Sequence, residues 1–513
     1  MSGKILLGPL LGLEDDTTYT VCFLSSRHVG TPQVVVDNQT FAAEQIQETP
    51  NGKFWRAAVP VPSLDNGRHC SYHIQSDGSS MQDPCKRSEW KFYVPGKSEE
   101  PRIAYASCNG FSSGDMKMKV DEPYRMWRHM AEEHKREPFS LLIMGGDQIY
   151  ADEIWHSRKR TPLVAEWSRL GREERISKSA SLPLQKELDR FYENLYMRHW
   201  NQEHMSLMMA TIPSVMMWDD HDIFDGWGSY PDDLQNCPVY IAIFEAARHY
   251  FELFQIRSNK NKMLLRPSGE HYSFAFQFRD YGILGLDNRS NRTGAIVMDD
   301  KNWSDVKNWL SNKSVTVRTL LVLSAVPVVY RDFRTGETAF DITPWQEELA
   351  DDIRDQWCSR NHEGERMKLI MNMLNFKASK ESSLVKRVIL SGDVHVGCLG
   401  IIRDHRQSNQ ESLIYQVISS AIVHPAPTWY QWLGILVGSN HDPESLEAGK
   451  ITTEILDLYG SDKFLRTRNY ATLKEGTDGK LWVNWFCENG RTPVYPILGS
   501  PPELEPTTTD DLP

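Results

Sequence analysis

The hydrophobic pattern changes character near residue 100. Before it, short runs of aromatic and β-branched residues (18–23, 54–59 and 90–94) are separated by turn-forming pairs such as Asn51-Gly52, Asn66-Gly67 and Asp77-Gly78. Runs of that length and chemistry, broken by Gly, Asn and Asp, predict an all-β unit, a small β-sandwich over 1–98. Pro95-Gly96 and the polar stretch to Glu100 mark its end. From Arg102 on, apolar runs at 103–107, 139–144, 212–218, 282–286, 320–326 and 388–390 alternate with longer helical stretches. This is the pattern of an α/β unit whose sheet is covered on both faces.

Tyr240, Phe244, Ala247, Phe251 and Phe254 recur at steps of three and four, which predicts a helix with one apolar face, and a second helix is expected around 188–200. Runs at 469–473 and 481–486 flank Thr477-Asp-Gly-Lys480 and predict a β-hairpin. The segmentation is therefore a sandwich at 1–98, an α/β unit at 99–430 and a C-terminal extension at 431–499 that completes that unit with a hairpin. A tail at 500–513, rich in Pro, Thr and acid, is expected to be disordered. The segment 151–187 carries Arg158, Lys159, Arg160, Arg169, Arg172 and Arg175 with little apolar periodicity. It reads either as a lid over a pocket or as a solvated face.

Composition narrows the class. With 40% hydrophobic and 25% charged residues, the 513-residue chain is neither disordered nor fibrous. Its net charge of −12 repels nucleic acid and anionic membranes in bulk, while leaving room for a small anionic substrate in a local cationic pocket. The longest apolar stretch, 320–330, is far short of the roughly 20 residues a bilayer span needs. The first residues lack an apolar block with a cleavage site, and the eight cysteines include no CxxC pair. A cytoplasmic protein with free thiols is the expectation. No feature of the sequence fixes an oligomeric state.

The chemistry lies just past the apolar runs. The first ends in Ala106-Ser-Cys-Asn109, the second in Gly145-Gly-Asp-Gln-Ile-Tyr150, and the third in Trp218-Asp-Asp-His-Asp222 with Asp225 beyond. The fourth ends in Leu286-Asp-Asn-Arg289 and the sixth in Ser391-Gly-Asp-Val-His395. Ligands in open α/β sheets bind beyond the carboxyl ends of the strands. Glycines ahead of Asp147 allow a sharp turn that brings its carboxylate close to a ligand, with two oxygens to bridge two cations. Tyr150 can turn its phenol to the same centre, Cys108 can add a thiolate, and Asp225 can close a second position.

Asp393 and His395, two apart, face one way if the strand is regular. Carboxylates and phenolate suit a hard ion, thiolate and imidazole a transition metal, so the mixture suggests two unlike metals. Arg289 offers a fork to phosphoryl oxygens, and His221 a proton for a leaving group or support for a ligand. Taken singly, Asp147 reads equally as a helix cap, Cys108 as a core thiol, Arg289 as a salt-bridging residue, and Asp219 and Asp220 as capping groups. The joint pattern, not any one residue, points to metal.

These five strand-end motifs, in this order, resemble those of the alkaline phosphatase D-like (PhoD-type) metallophosphatases of the calcineurin-like metallophosphoesterase superfamily. The segment Tyr192-Glu-Asn-Leu-Tyr196 followed by Trp200 fits as well. The resemblance, over about 102–420, implies an αββα-sandwich core beside the N-terminal β-sandwich. It also implies hydrolysis of phosphomonoesters or phosphodiesters by a metal-activated hydroxide at two metals. Fe(III) is the expected first ion and Ca(II) or another divalent ion the second. Carried over residue by residue, Cys108, Asp147, Tyr150, Asp393 and His395 match as ligands. Where the family's third motif usually has Asn, this chain has Asp225, which adds negative charge at the second metal. Asn109, Arg289 and Arg292 are the expected substrate contacts, with His221 and Arg289 in the reaction. The family's twin-arginine export signal is absent, which supports the cytoplasmic expectation. The competing reading is a catalytically silent binding or scaffold protein that kept the fold.

Overall fold

The computed structural model describes the chain except residues 1–3, 313–316, 331–356, 358, 360, 378–383, 407–410, 430, 433–442, 448 and 502–513. Two large sheets face each other. The first has ten strands, ordered Val494–Ile497, Leu481–Cys487, Asn469–Glu475, Ile103–Ala106, Leu141–Gly145, Ser214–Met217, Ile5–Leu13, Thr18–Ser26, Gly52–Pro60 and Glu44–Glu48. The second has eight, ordered Phe274–Phe278, Tyr281–Gly285, Thr319–Leu323, Lys386–Ser391, Ser412–Ile418, Cys398–Asp404, Ile451–Leu456 and Glu444–Glu447.

The layering follows from side-chain alternation. In Thr319–Leu323, Leu321 and Leu323 join the core shared with Tyr105 and Ile143 of the first sheet. Leu320 and Val322 point the other way, into a second core with Trp303 and Val306 of helix Asp300–Leu310 and Leu369 and Ile370 of helix Glu363–Leu374. Period-two alternation with both faces apolar is what a strand between a sheet and a helix layer requires. On the far side of the first sheet, helix Glu203–Thr211 packs on Ile5–Leu13 and on helix Arg125–Arg136. The core is thus the expected αββα sandwich.

The expected runs all form strands, with ends displaced by about two residues. The hairpin forms too, Asn469 facing Cys487 and Glu475 facing Leu481, and it lies antiparallel on Ile103–Ala106. The helix predicted at 188–200 begins earlier, at Leu182, because Ser181 caps it by accepting from Leu184 N–H and proline fits its first turn. The helix predicted from Tyr240 runs Pro238–Phe251 and continues as a π-helical turn, Glu252–Ile256, that stops at Arg257 with φ 70°.

The N-terminal strands form two layers, as expected of a sandwich. One is Gln39–Ala42, Gln33–Val36, Arg68–Ser76 and Ser79–Ser80, with Trp90–Val94 on Arg68–Ser76. The other, however, is continuous with the ten-stranded sheet. Ile5–Leu13 runs parallel to Ser214–Met217 through the pair Gly12 and Ser214. Buried Arg257 straddles this seam, donating to Leu11 O at 3.0 Å, Ser214 O at 3.1 Å and Ser214 Oγ at 2.7 Å. Of the tail expected from 500, Ser500 pairs with Val385, and 502–513 lie outside the described residues. Seven described cysteines are free; Cys358 lies outside them.

Candidate metal centre

Adjacent parallel strands Ile103–Ala106, Leu141–Gly145 and Ser214–Met217 deliver their following loops to one edge. The loops are stitched together: Cys108 N–H donates to Gly146 O and Asn109 N–H to Asp147 O. Asp222 is the tie beneath them. Its carboxylate accepts from the backbone of Gln148, Ile149 and Asp219 and from Gln255 Nε2 at 2.9 to 3.2 Å. Burial pushes that carboxyl up to about 7. Helix Leu182–Trp200 holds the loops from behind, through Trp200 Nε1 on Gln148 O at 3.0 Å and Tyr192 Oη on Ile223 O.

Gly146 has φ 105°, and a Cβ there would sit 3.0 Å from Asp219 Cβ and 3.1 Å from Ala325 Cβ. Only glycine lets the loop turn this close to its neighbours. Next to it Asp147 is itself left-handed (φ 53°), as are Cys108 (52°), Asp393 (67°) and His395 (51°).

Among the described residues three groups result, the ligand atoms of each lying within 4.8 Å of one another: Cys108, Asp147 and His395; Asp147, Asp220 and His221; Asp219, Asp220 and Asp393. Tyr150 Oη lies 3.3 Å from Asp147 Oδ2 and 3.1 Å from His395 Nε2. Cys108 Sγ lies 3.0 Å from Ser420 Oγ, which also accepts from His395 N–H at 2.9 Å. His424 stacks on His395 with 3.6 Å between rings.

The charges are unbalanced. Burial and the neighbouring Asp219, Asp220 and Asp222 drive the Asp147 carboxyl well above the usual range, against the pull of His221. Burial and Asp147 do the same to the Cys108 thiol and the Tyr150 phenol. Burial would lower His221, but Asp152, whose Oδ2 is 2.8 Å from Nδ1, and Asp220 raise it well above its ordinary value. Burial and His424 hold His395 well below it. Asp147 Oδ1 is buried without a hydrogen-bond partner. Four crowded carboxylates beside a thiol, with an orphaned oxygen among them, fit a site built for cations.

Cys108, Asp147, Tyr150, His221, Asp393 and His395 therefore come together. Asp393 and His395 do not face one way: strand Lys386–Ser391 ends before them, and left-handed turns send them into different groups. Asp225 stands at the rim, its Oδ1 4.0 Å from His221 Nε2 and its N–H bonded to Asp152. Arg289 is fully buried. Its guanidinium is bonded to Asp219 and to Trp227 O and lies 3.5 Å from Asp220. Arg292 is 3% exposed, its stem packed where a Cβ on Gly228 would be. Asn109 is fully buried, its amide engaged by Trp127 Nε1 at 2.8 Å and Gln148 O at 3.3 Å. Sequence reasoning read Asp219 and Asp220 only as capping groups and did not single out Asp152, Ser420 or His424. The two aspartates were visible in the Trp218-Asp-Asp-His motif; the others follow no motif that was used.

Two facing sheets, flanking helices and ligands on loops past the strands define the metallophosphoesterase class. Within it, the chain belongs to the family of PhoD related phosphatases, whose model matches residues 79–344 and 342–442. An uncharacterized Saccharomyces cerevisiae protein, YGR266W, is 24% identical over 470 residues, taking in 75% of this chain and 64% of that protein. The chain thus spans under two thirds of that relative's length. Among solved structures, PhoD superposes with a TM-score of 0.59 at 15% identity, covering 96% of this chain and 89% of PhoD. Purple acid phosphatase PPD1 of yellow lupin superposes with a TM-score of 0.52 at 10% identity, covering 97% and 74%. At these identities the superpositions speak for the fold.

Proposed function

We propose that the chain hydrolyses phosphoesters at a site for two metal ions, both of which Asp147 would help to hold. The observation that carries this is that Asp147 alone of its loop belongs to two ligand groups, one with Cys108 and His395, the other with Asp220 and His221. Cys108, His395 and Tyr150 make the mixed side, a thiolate, an imidazole and a phenolate, suited to iron. Asp219, Asp220 and Asp393 make the carboxylate side, suited to calcium or another divalent ion, with Asp225 at its rim and His221 beside it. Such a pair supplies Lewis-acid stabilisation of the phosphoryl oxygens and acidifies water near neutral pH.

The chain's own residues supply the rest. Asp152 fixes the His221 ring and favours its charged form, so its Nε2 holds a proton for the leaving oxygen. Arg289 acts through Asp219 and Asp220, whose carboxylates it aims. Bonded as it is, it positions ligands before it binds substrate.

The test is elemental analysis of reconstituted protein, visible absorption, and para-nitrophenyl phosphate mono- and diester assays. Two metal equivalents, a charge-transfer band lost in Cys108→Ser or Tyr150→Phe, and turnover of one ester are expected. Protein that binds no metal and cleaves neither ester refutes the reading.

A further inference from the structure

A cavity of about 290 Å³ opens against the ring of Tyr150. Four separate parts of the chain wall it: the turn from Gly110 to Lys117, Tyr124 ahead of helix Arg125–Arg136, the segment after Tyr150 that contributes Glu153 and Arg160, and the last turns of helix Leu182–Trp200 with Leu195, Arg198 and His199. The volume sits at the low end for small-molecule pockets, enough for part of a ligand whose remainder lies elsewhere. The remainder has a place, because the wall is continuous with the metal centre. Tyr150 borders both, and Ser112 on the cavity side lies 3.2 Å from Nε2 of His424, which stacks on His395.

The lining is cationic in a chain that is otherwise acidic. Lys117, Arg160 and Arg198 face one carboxylate, Glu153. Glu153 is bonded to both guanidiniums and holds them at the wall, leaving a formal surplus of two positive charges. His199 adds none, since burial pushes its imidazole down to about 4. Phe111 and Tyr124 provide the apolar wall, with the Lys117 ammonium 5.4 Å from the Tyr124 ring centre. Planar forks and an ammonium around a small space match the geometry and charge of a phosphate.

We propose that this cavity receives the leaving-group side of the ester and selects leaving groups that carry a second phosphate. The proposal rests on the hydrolase reading above. Water's oxygen bonds to the phosphorus at the metal centre, and the bond from phosphorus to the ester oxygen breaks. That oxygen takes a proton and departs as an alcohol still bearing its second phosphate. The same chemistry is offered by a soluble bisphosphate and by a phosphoinositide headgroup on a membrane.

The experiment compares kcat/KM for matched pairs on metal-loaded protein: a sugar, a nucleoside and an inositol, each as monophosphate and bisphosphate. A parallel arm presents phosphatidylinositol bisphosphate in phosphatidylcholine vesicles. At least one bisphosphate should be preferred by about tenfold or more, the worth of one charge-assisted hydrogen bond. Arg160→Gln, Arg198→Gln and Lys117→Gln should each pull that ratio toward one. A preference confined to vesicles names the lipid source; one for free bisphosphates names the soluble source. Variants that lose both activities in proportion, with an unchanged ratio, assign the cations a structural role and overturn the proposal. Turnover of monoesters without any bisphosphate preference overturns it while leaving the hydrolase standing. No turnover of any ester overturns both.

Discussion

Asp147→Asn distinguishes a bridging ligand from a turn cap, because the two roles predict opposite signs in metal-free protein. The Asp147 side chain is buried, with ligand oxygens within 4.8 Å of those of Asp220. Two negative charges at that separation repel by about 3.5 kcal/mol at an effective dielectric near 20. Asp219 and Asp222 add to this, His221 offsets part, and burial is a further cost. Asparagine keeps the shape and can still accept from Tyr150 Oη. Metal-free Asp147→Asn should therefore be more stable than the metal-free parent, by about 1–3 kcal/mol. The gain should grow with pH: once the unfolded carboxyl ionises, near 3.8, the folded one still holds its proton, so the parent's stability falls from there up to the raised folded pKa.

Metal reverses the order. Ions at about 1,000 times their Kd stabilise the parent by about 4 kcal/mol, and a variant without the bridge gains little. At about 2.1 cal/mol/K per residue, a chain of 513 residues shifts by about 1 °C per kcal/mol. Thermal melts of chelator-treated and reconstituted samples, with metal content measured on each, resolve both effects. If the metal-free variant melts below the metal-free parent, Asp147 is a structural cap. If it keeps two metal equivalents, it does not bridge.

Arg289→Met leaves Asp219 and Asp220 without their buried cation, at a cost of about 3–5 kcal/mol. Elemental analysis should show loss of the ion on that side, with the Cys108 and Tyr150 absorption band retained. His134, pushed down to about 4 by burial with His69 and Arg102 adding to it, accepts Phe139 N–H at 3.0 Å, which a protonated ring cannot do. Between pH 6.5 and 4 the unfolded chain binds the extra proton, so folding should weaken on acidification by on the order of 2 kcal/mol. His134→Gln should flatten that slope in urea midpoints. At the seam, a Cβ on Gly12 would lie 2.5 Å from Thr20 Oγ1 and 2.6 Å from an Arg257 nitrogen. Gly12→Val should destabilise by about 1–3 kcal/mol and expose the N-terminal strands to limited proteolysis; unchanged melting and cleavage would show that the seam carries no stability.

How much of this was legible depends on whether the signal was local. Strands 103–106 and 141–145 were readable because their apolar runs are dense and end in Cys108 and Asp147. The joining of Ile5–Leu13 to Ser214–Met217 was not, because it pairs residues some 200 apart through a glycine that carries no pattern. The same limit applies to Arg289. Its sequence neighbours suggested a free fork, and only the fold brings it to Asp219, 70 residues away. Inside Trp218-Asp-Asp-His-Asp222 the ambiguity was finer. Four polar residues in a row cannot all face one centre, and the 3-10 turn Asp220–Asp222 decides which do. It sends Asp222 down to tie the loops and leaves Asp219 and Asp220 among the ligand groups.

The backbone supplies an argument against a silent scaffold that the motifs alone do not. Left-handed backbone outside glycine costs of order 1–3 kcal/mol where the surroundings impose it. Asp and His tolerate it best, so Asp147, Asp393 and His395 are mild cases, but Cys108 has no such excuse. Glycine at 108 would relieve the backbone, yet the fold keeps a buried thiol there beside Asp147. The fold keeps strain, like-charge repulsion and an orphaned carboxylate oxygen within a few ångströms of one another. On the proposed reading, a cation pair would offset the last two, and a reaction at that pair would give the first a use.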